Sequence, residues 1–409
     1  MPASTSIIAT TAKVRLAELA RRVGAVAVVR EGSVFLLLLS CFALPVAAQE
    51  LPDDELQVTF NSYFDNFGVS IVYPTMSYTK RVGQSSSINA RYLVDVISAA
   101  SMRSHFIVDG VTSATEKEDG GGDDSPDEIR QEFGLGMSRL LDKGTLSVNG
   151  IYSTEHDYSS TTLATTYSYP FARKNTIIQV GLVRSWDKSF PQIRDWEKSK
   201  DIYTTSLNVT QVLNKRLIAQ GILSYSYSKG LHSDPYQVVQ IIEGGAVVNY
   251  EPVHPDRRNR KAIGVRMNYK FERKAALQMG VRLYWDDWDV TSFTTSMSLL
   301  NHLSEAATVG LGFRSYFQSA AYFFKEEYAQ PEQYMTVDSK LDKGFSHELQ
   351  FKLTLNGGHF KRLPLLSNRN TALNFKFNFY YRQTDTPNWH RRTKELFAYI
   401  MSLGIRHRF

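Results

Sequence analysis

Residues 397–409 read Phe-Ala-Tyr-Ile-Met-Ser-Leu-Gly-Ile-Arg-His-Arg-Phe, and their alternation decides how the rest of the chain is read. One parity carries Phe397, Tyr399, Met401, Leu403, Ile405, His407 and Phe409, while the other carries Ala398, Ile400, Ser402, Gly404, Arg406 and Arg408. Successive side chains of a strand point to opposite faces, so this is a strand with one apolar face and one small or polar face. At about 3.3 Å per residue such a stretch, tilted, is long enough to cross a bilayer.

Working outward, the same period-2 pattern divides the chain into sixteen expected strands: about 56–64, 69–82, 86–98, 127–142, 145–156, 160–171, 176–187, 201–213, 217–228, 258–271, 276–287, 291–303, 307–320, 345–356, 371–383 and 395–409. In 373–382, Leu373, Phe375, Phe377, Phe379 and Tyr381 oppose Asn374, Lys376, Asn378, Tyr380 and Arg382. In 277–286, Leu277, Met279, Val281, Leu283 and Trp285 oppose Gln278, Gly280, Arg282, Tyr284 and Asp286. A half-buried sheet of a soluble sandwich would alternate too. Repetition over so many long strands favours an all-β, transmembrane antiparallel barrel, and the connections agree. Short turns such as 83–85, 142–144, 173–175 and 214–216 alternate with long loops at 99–126, 188–200, 229–257 and 321–344. Outer-membrane barrels have short periplasmic turns and longer outside loops. Lys117 and Asp123 are therefore expected outside and Lys143 in the periplasm. The one long connection forced to the short-turn side is 357–370.

The N-terminal stretch fits that destination. Lys13, Arg15, Arg21, Arg22 and Arg30 precede the apolar run 34–44, and Pro45-Val46-Ala47-Ala48 follows. This is the order of a signal peptide, with cleavage expected after Ala48, so that 1–48 is the signal and 49–409 the barrel. Leu38-Leu39-Ser40-Cys41 loosely imitates a lipoprotein site, but processing there would leave Phe42-Ala43-Leu44 at the new terminus. Cleavage after Ala48 removes Cys41, the single cysteine, and with it any thiol or disulfide chemistry. It also lowers the formal charge from +6 to +3, too small an excess to suggest nucleic acid as a partner. Beyond Ala48 no run of eighteen apolar residues occurs. Aromatics at 12% with a mean hydropathy of −0.28 suit a barrel with an apolar lipid face and a wet lumen. The apolar series Tyr399, Met401, Leu403, Ile405 and Phe409 then has the form of the strand read by the barrel-assembly machinery.

Several segments resemble a bacterial family of uncharacterised outer-membrane barrels, a domain-of-unknown-function family, over about 86–355. They are Asp95-Val96-Ile97-Ser98-Ala99-Ala100-Ser101, Asp234-Pro235-Tyr236, Glu251-Pro252 with Pro255-Asp256-Arg257-Arg258-Asn259-Arg260, Tyr284-Trp285-Asp286-Asp287-Trp288, and 314–323. Family members usually have glycine where this chain has Ala99. The resemblance implies the barrel fold and no assigned site. It also implies periplasmic or lipoprotein redox partners, since members tend to be encoded near a flavin-transferase and a small lipoprotein.

The inward parity gathers Arg91, Asp95, Arg266, Arg282, Tyr284, Asp286, Arg314, Tyr316, Lys352, Lys376, Arg382 and Arg406. Two readings stay open for this set. A ring of basic groups in a pore favours anions, whereas interior Arg, Asp and Tyr can simply brace the wall. Loop 115–128 concentrates carboxylates around glycines without the spacing of a calcium loop. His232, Asp234, Glu251, His254 and Asp256 share one loop without ligand spacing, so no metal or cofactor is expected. Tyr284, Trp285, Trp288, Tyr316, Tyr322, Phe323 and Phe324 are expected to form an aromatic girdle at the outer interface, with a sugar-stacking platform as the alternative. No nucleophile elbow, zinc motif or phosphate loop is present, so an enzyme is not expected. The expectation is a porin-like passive channel for small solutes or anions in contact with outer-membrane lipid. The alternatives are a plugged surface scaffold and, behind it, an outer-membrane enzyme.

Overall fold

The computed structural model describes residues 51–66, 70–98, 128–272, 274–360, 362–385 and 394–409, with Asp95–Ser98 and Glu128 described by their backbone alone. The expected signal peptide, loop 115–127, and the positions of Lys117 and Asp123 lie outside the described residues.

The strands are β1 Glu55–Asp65, β2 Ser70–Val82, β3 Ser86–Ser98, β4 Glu128–Leu141, β5 Gly144–Thr154 and β6 Tyr158–Phe171. Then follow β7 Thr176–Ser189, β8 Lys198–Asn214, β9 Leu217–Gly230, β10 Val239–Glu243, β11 Ala246–Tyr250 and β12 Arg257–Lys270. The last are β13 Ala275–Asp286, β14 Thr291–His302, β15 Ala307–Gln318, β16 Gly344–Asn356, β17 Thr371–Thr384 and β18 Glu395–Arg408. Sixteen of them close into one antiparallel barrel, in which each strand pairs with its neighbour along the chain except that β9 pairs with β12. The two left over, β10 and β11, form a separate hairpin within the loop between β9 and β12. Period-2 reading placed the sixteen barrel strands to within three residues at each end. It did not resolve the hairpin, whose strands are only five residues each.

Closure satisfies the backbone, which is what lets a sheet sit in hydrocarbon. The seam joins β1 to β18 from Glu55↔Arg408 to Asp65↔Ala398. Phe409 N–H extends it by donating to the Asp54 carbonyl at 3.0 Å. On β18 the apolar parity faces outward: Phe397, Tyr399, Met401 and Leu403 are exposed, whereas Ala398 and Gly404 are buried. Aromatic neighbours across strands line the same outer surface, including Tyr381–Phe397 with centroids 4.9 Å apart and Tyr92–Phe133 at 4.6 Å. Losing the outward ring of Phe409, which packs edge-on to Tyr78 and His407, should slow insertion by the assembly machinery. The check is pulse-chase of Phe409→Ala by heat-modifiable gel mobility; unchanged kinetics would remove the residue from the assembly signal.

Antiparallel order fixes which connections share an end. Turns 83–85, 142–143, 172–175, 215–216, 271–274 and 303–306 lie at one end with the start of β1 and the end of β18. The connection 357–370, with its short 3-10 turn Pro364–Leu366, lies there too. The end of β3, the start of β4 and loops 190–197, 231–256 and 319–343 lie at the other end. A cysteine at Glu243, beside the hairpin tip, should be labelled in whole cells by an impermeant maleimide, and one at Lys143 should not. The opposite pattern would invert the barrel.

Candidate functional site

The pairing register alone puts the inward charges on one face. Along adjacent strands it links Arg266↔Gly280, Arg282↔Thr294, Thr294↔Tyr316 and Arg314↔Glu348. It continues through Lys352↔Lys376, Ser346↔Arg382, Ala372↔Arg406, Gln57↔Arg406, Ser77↔Arg91 and Asp95↔Arg130. Gly264↔Arg282 and Arg260↔Asp286 set Tyr284 and Asp286 on the same parity. The backbone of Asp95 therefore has inward register, while its side chain lies outside the described atoms.

Within this face two groups of cations differ. One group meets carboxylates. Arg91 Nη2 lies 3.0 Å from Glu132, and Arg130 lies 3.5 Å from both Glu132 and Glu155. Lys200 pairs with Asp187 at 3.3 Å, Arg314 with Glu348 at 3.6 Å and Arg406 with Glu55 at 3.7 Å. These pairs brace the wall. Sequence reading missed Arg130, Glu132, Glu155, Asp187, Lys200 and Glu348, although parity could have found several of them. Glu348 is four residues from Lys352 on one strand, and Glu132 is two from Arg130. The other group comprises Arg266, Arg282, Lys352 and Lys376, none of which makes an ion pair among the described residues. Of these, Arg282 lies 5.7 Å from the Tyr284 ring centre.

At the long-loop end, loops 231–256 and 319–343 fold inward as a joint cap. Gly244 and Gly245, at φ 59° and 86°, make the tight turn of the β10–β11 hairpin, a conformation that favours glycine. The hairpin buries Val239 and Ile241 against Tyr328 and Met335 of the other loop. An isolated bridge ties the loops directly: Val253 N donates to Met335 O at 2.9 Å and Met335 N to Val253 O at 2.8 Å. A second small core gathers Trp288, Val290, Ala321, Phe323 and Leu341, with Tyr284 packed against it from the wall. The cap is fastened to inward side chains. His232 Nε2 shares a hydrogen bond with Ser228 at 2.7 Å, and Arg382 Nη2 donates to Ser339 at 2.8 Å. Arg258 lies 4.1 Å over the Trp288 ring and donates to Asp286 at 2.6 and 2.9 Å. Tyr236 reaches Asp157 on the β5–β6 turn.

This arrangement corrects the aromatic-girdle expectation. Trp288 and Phe323 are 2% and 4% exposed and belong to the cap core, because the turn after Asp286 folds toward the lumen. Tyr284 and Tyr316 face inward by register, and Phe324 packs on the cap. Trp285, on the outward parity, keeps a position suited to the interface.

His232 and His254 approach Trp288 with ring centroids at 5.4 and 5.5 Å. Burial, reinforced by Lys200, Arg260 and Arg258, holds the His232 imidazole down to about 3. Burial likewise holds His254 down to about 4, with Arg258 adding to the effect and Asp338 opposing it. Asp234, buried and accepting the Tyr236 amide at 3.0 Å, is pushed up to about 6 by desolvation. Among the described residues no three His, Cys, Asp or Glu side chains are grouped to hold a metal ion.

A family profile described as "Protein of unknown function (DUF3570)" matches residues 36–192 and 184–385. No curated protein sequence matches the chain significantly. Among solved structures, a bacterial polysaccharide outer-membrane secretin superposes with a TM-score of 0.50 at 10% identity, covering 88% of this chain and 100% of its own. Pseudomonas aeruginosa OpdK with vanillate gives a TM-score of 0.45 at 9% identity, covering 87% of this chain and 98% of its own. The siderophore receptor PirA of Pseudomonas aeruginosa gives 0.43 at 10% identity over 83% of this chain, which spans only 58% of that receptor. At such identities the likeness is one of fold.

Proposed function

The chain belongs to the DUF3570 family, and for this outer-membrane β-barrel we propose the role of a passive, porin-like channel for small anions. The observation that supports it is the second group of inward cations. Arg266, Arg282, Lys352 and Lys376 stand on the lumen wall with no carboxylate within ion-pair distance among the described residues. Like charges directly opposite on a sheet are destabilising, so Lys352 beside Lys376 is tolerable where water and mobile counter-ions fill the space. Sixteen strands enclose enough room for a water column. Unpaired charge on its wall raises the local anion concentration, whereas the braced pairs cancel locally. The role is that of a conduit, without catalysis.

The cap supports a second reading, a surface scaffold whose mouth is closed by the two loops and which works through periplasmic or lipoprotein partners. Liposome swelling separates the two. A channel lets a small anion enter faster than a cation of equal size, and Arg282→Ala reduces that difference. Correctly folded protein that admits neither solute would favour the scaffold.

A further inference from the structure

We propose that Lys352 and Lys376 form a two-point binding station for a small divalent oxyanion on the lumen wall; access to it through the lumen rests on the channel reading above.

The register sets the two lysines directly opposite each other on β16 and β17, both inward. Side chains so placed leave their Cβ atoms about 5 Å apart, and like charges directly opposite on a sheet repel. Neither makes a hydrogen bond or an ion pair among the described residues. The carboxylate that faces them, Glu348, is already engaged: Arg314 lies 3.6 Å from it, and Asn378 Nδ2 donates to it at 2.9 Å.

The wall beside the lysines is cut back. On β15 the inward positions opposite Lys352 and Gln350 are Gly310 and Gly312. A Cβ on Gly312 would stand 3.2 Å from Gln350 Oε1, and one on Gly310 would stand 3.4 Å from Lys352 Cβ and 2.6 Å from Leu300 Cδ2. Gln350 therefore leans across a strip of bare backbone. On the other side Ser402 lies opposite Lys376, and Asn61 lies opposite Ser402. The result is two cations flanked by neutral amide and hydroxyl groups, with Gln350 and the Leu300 side chain lying over the bare backbone of Gly312 and Gly310.

Charge number and shape decide the ligand class. A monovalent anion offsets only part of the repulsion between two ammonium groups, whereas a dianion offsets both at once. Lysine presents a compact point charge with three rotatable donors, so two opposed lysines can each reach a different oxygen of one tetrahedral oxyanion.

The test uses the full-length protein and sulfate as the probe. In a planar bilayer, sulfate should reduce the chloride current more than nitrate does at equal ionic strength, and calorimetry in detergent should detect sulfate binding without reference to conduction. Lys376→Gln should weaken sulfate binding by about tenfold, the loss of one charge-assisted contact. Lys376→Glu places an opposite charge across from Lys352, which favours folding of the strand pair, and should abolish binding. Sulfate affinity unchanged in both variants, or absent from the wild type, would overturn the station. Chloride current with no effect of sulfate would overturn the station and leave the channel standing. No current, with Lys376-dependent sulfate binding by calorimetry, would overturn the channel and leave the station standing.

Discussion

Asp286→Ala should unfasten the cap and leave the barrel closed. The carboxylate is fully enclosed, its side chain 0% exposed. It accepts Arg258 at 2.6 and 2.9 Å, the Tyr284 hydroxyl at 2.5 Å, and the backbone amides of Trp288 and Val290 at 3.0 Å each. It thereby fixes both the turn that aims Trp288 inward and the guanidinium that covers the Trp288 ring. Removing one partner of a buried pair costs about 3–5 kcal/mol, because the other charge stays buried and unpaired. The barrel ladders do not pass through this carboxylate, so the loss stays local. Hydrogen exchange should show amide protection across 231–256 and 319–343 falling by about two to four powers of ten, with heat-modifiable gel mobility retained. Protection unchanged from wild type would mean that Asp286 does not hold the cap.

Acidification should loosen the same cap, and the sign follows from the histidines. Burial lowers His232 to about 3 and His254 to about 4 from an ordinary value of 6.5. Between pH 6.5 and about 4 the opened loops therefore bind protons that the packed cap refuses, and cap stability falls as pH falls. Each histidine contributes about 1.4 kcal/mol per pH unit in that window. Asp234 acts in the other direction. Raised to about 6 from 3.8, it takes up a proton in the packed state first and offsets one histidine below pH 6. The net loss between pH 6.5 and 5 is then about 2–3 kcal/mol. Near-UV circular dichroism of the tryptophans should fade over this range while the far-UV strand signal holds. The double variant His232→Gln with His254→Gln should flatten the curve; superimposable curves for the two proteins would assign the change to other groups.

The fold was legible because a barrel strand carries its address in period 2. Each of β1–β9 and β12–β18 spans eleven or more residues, which repeats the alternation often enough to outweigh local exceptions. Parity also assigns Arg282 or Lys376 to the face opposite the apolar residues of its strand without any knowledge of its contacts. What sits outside the alternation was not legible. Trp288 lies two residues past the end of β13, so its direction is set by Asp286 capturing the Trp288 and Val290 amides, not by period. The β10–β11 hairpin is stabilised by Tyr328 and Met335, about ninety residues away in sequence, and no local pattern announces that partnership. Pairing was illegible in a third way. Arg314 and Lys352 look alike in sequence, and only the register shows Glu348 beside one of them and a second lysine beside the other.

The claim that the lumen selects anions is tested most directly by the reversal potential of single channels in a planar bilayer under a chloride-salt gradient. On the proposed channel reading, Arg266, Arg282, Lys352 and Lys376 make the wall potential positive, so the reversal potential should carry the sign of anion permeation. It should shrink as rising salt shortens the screening length below about 8 Å. Arg282→Ala with Lys376→Gln should move it toward the cation side. A wild-type reversal potential of cation sign, or one indifferent to both substitutions, would contradict the account.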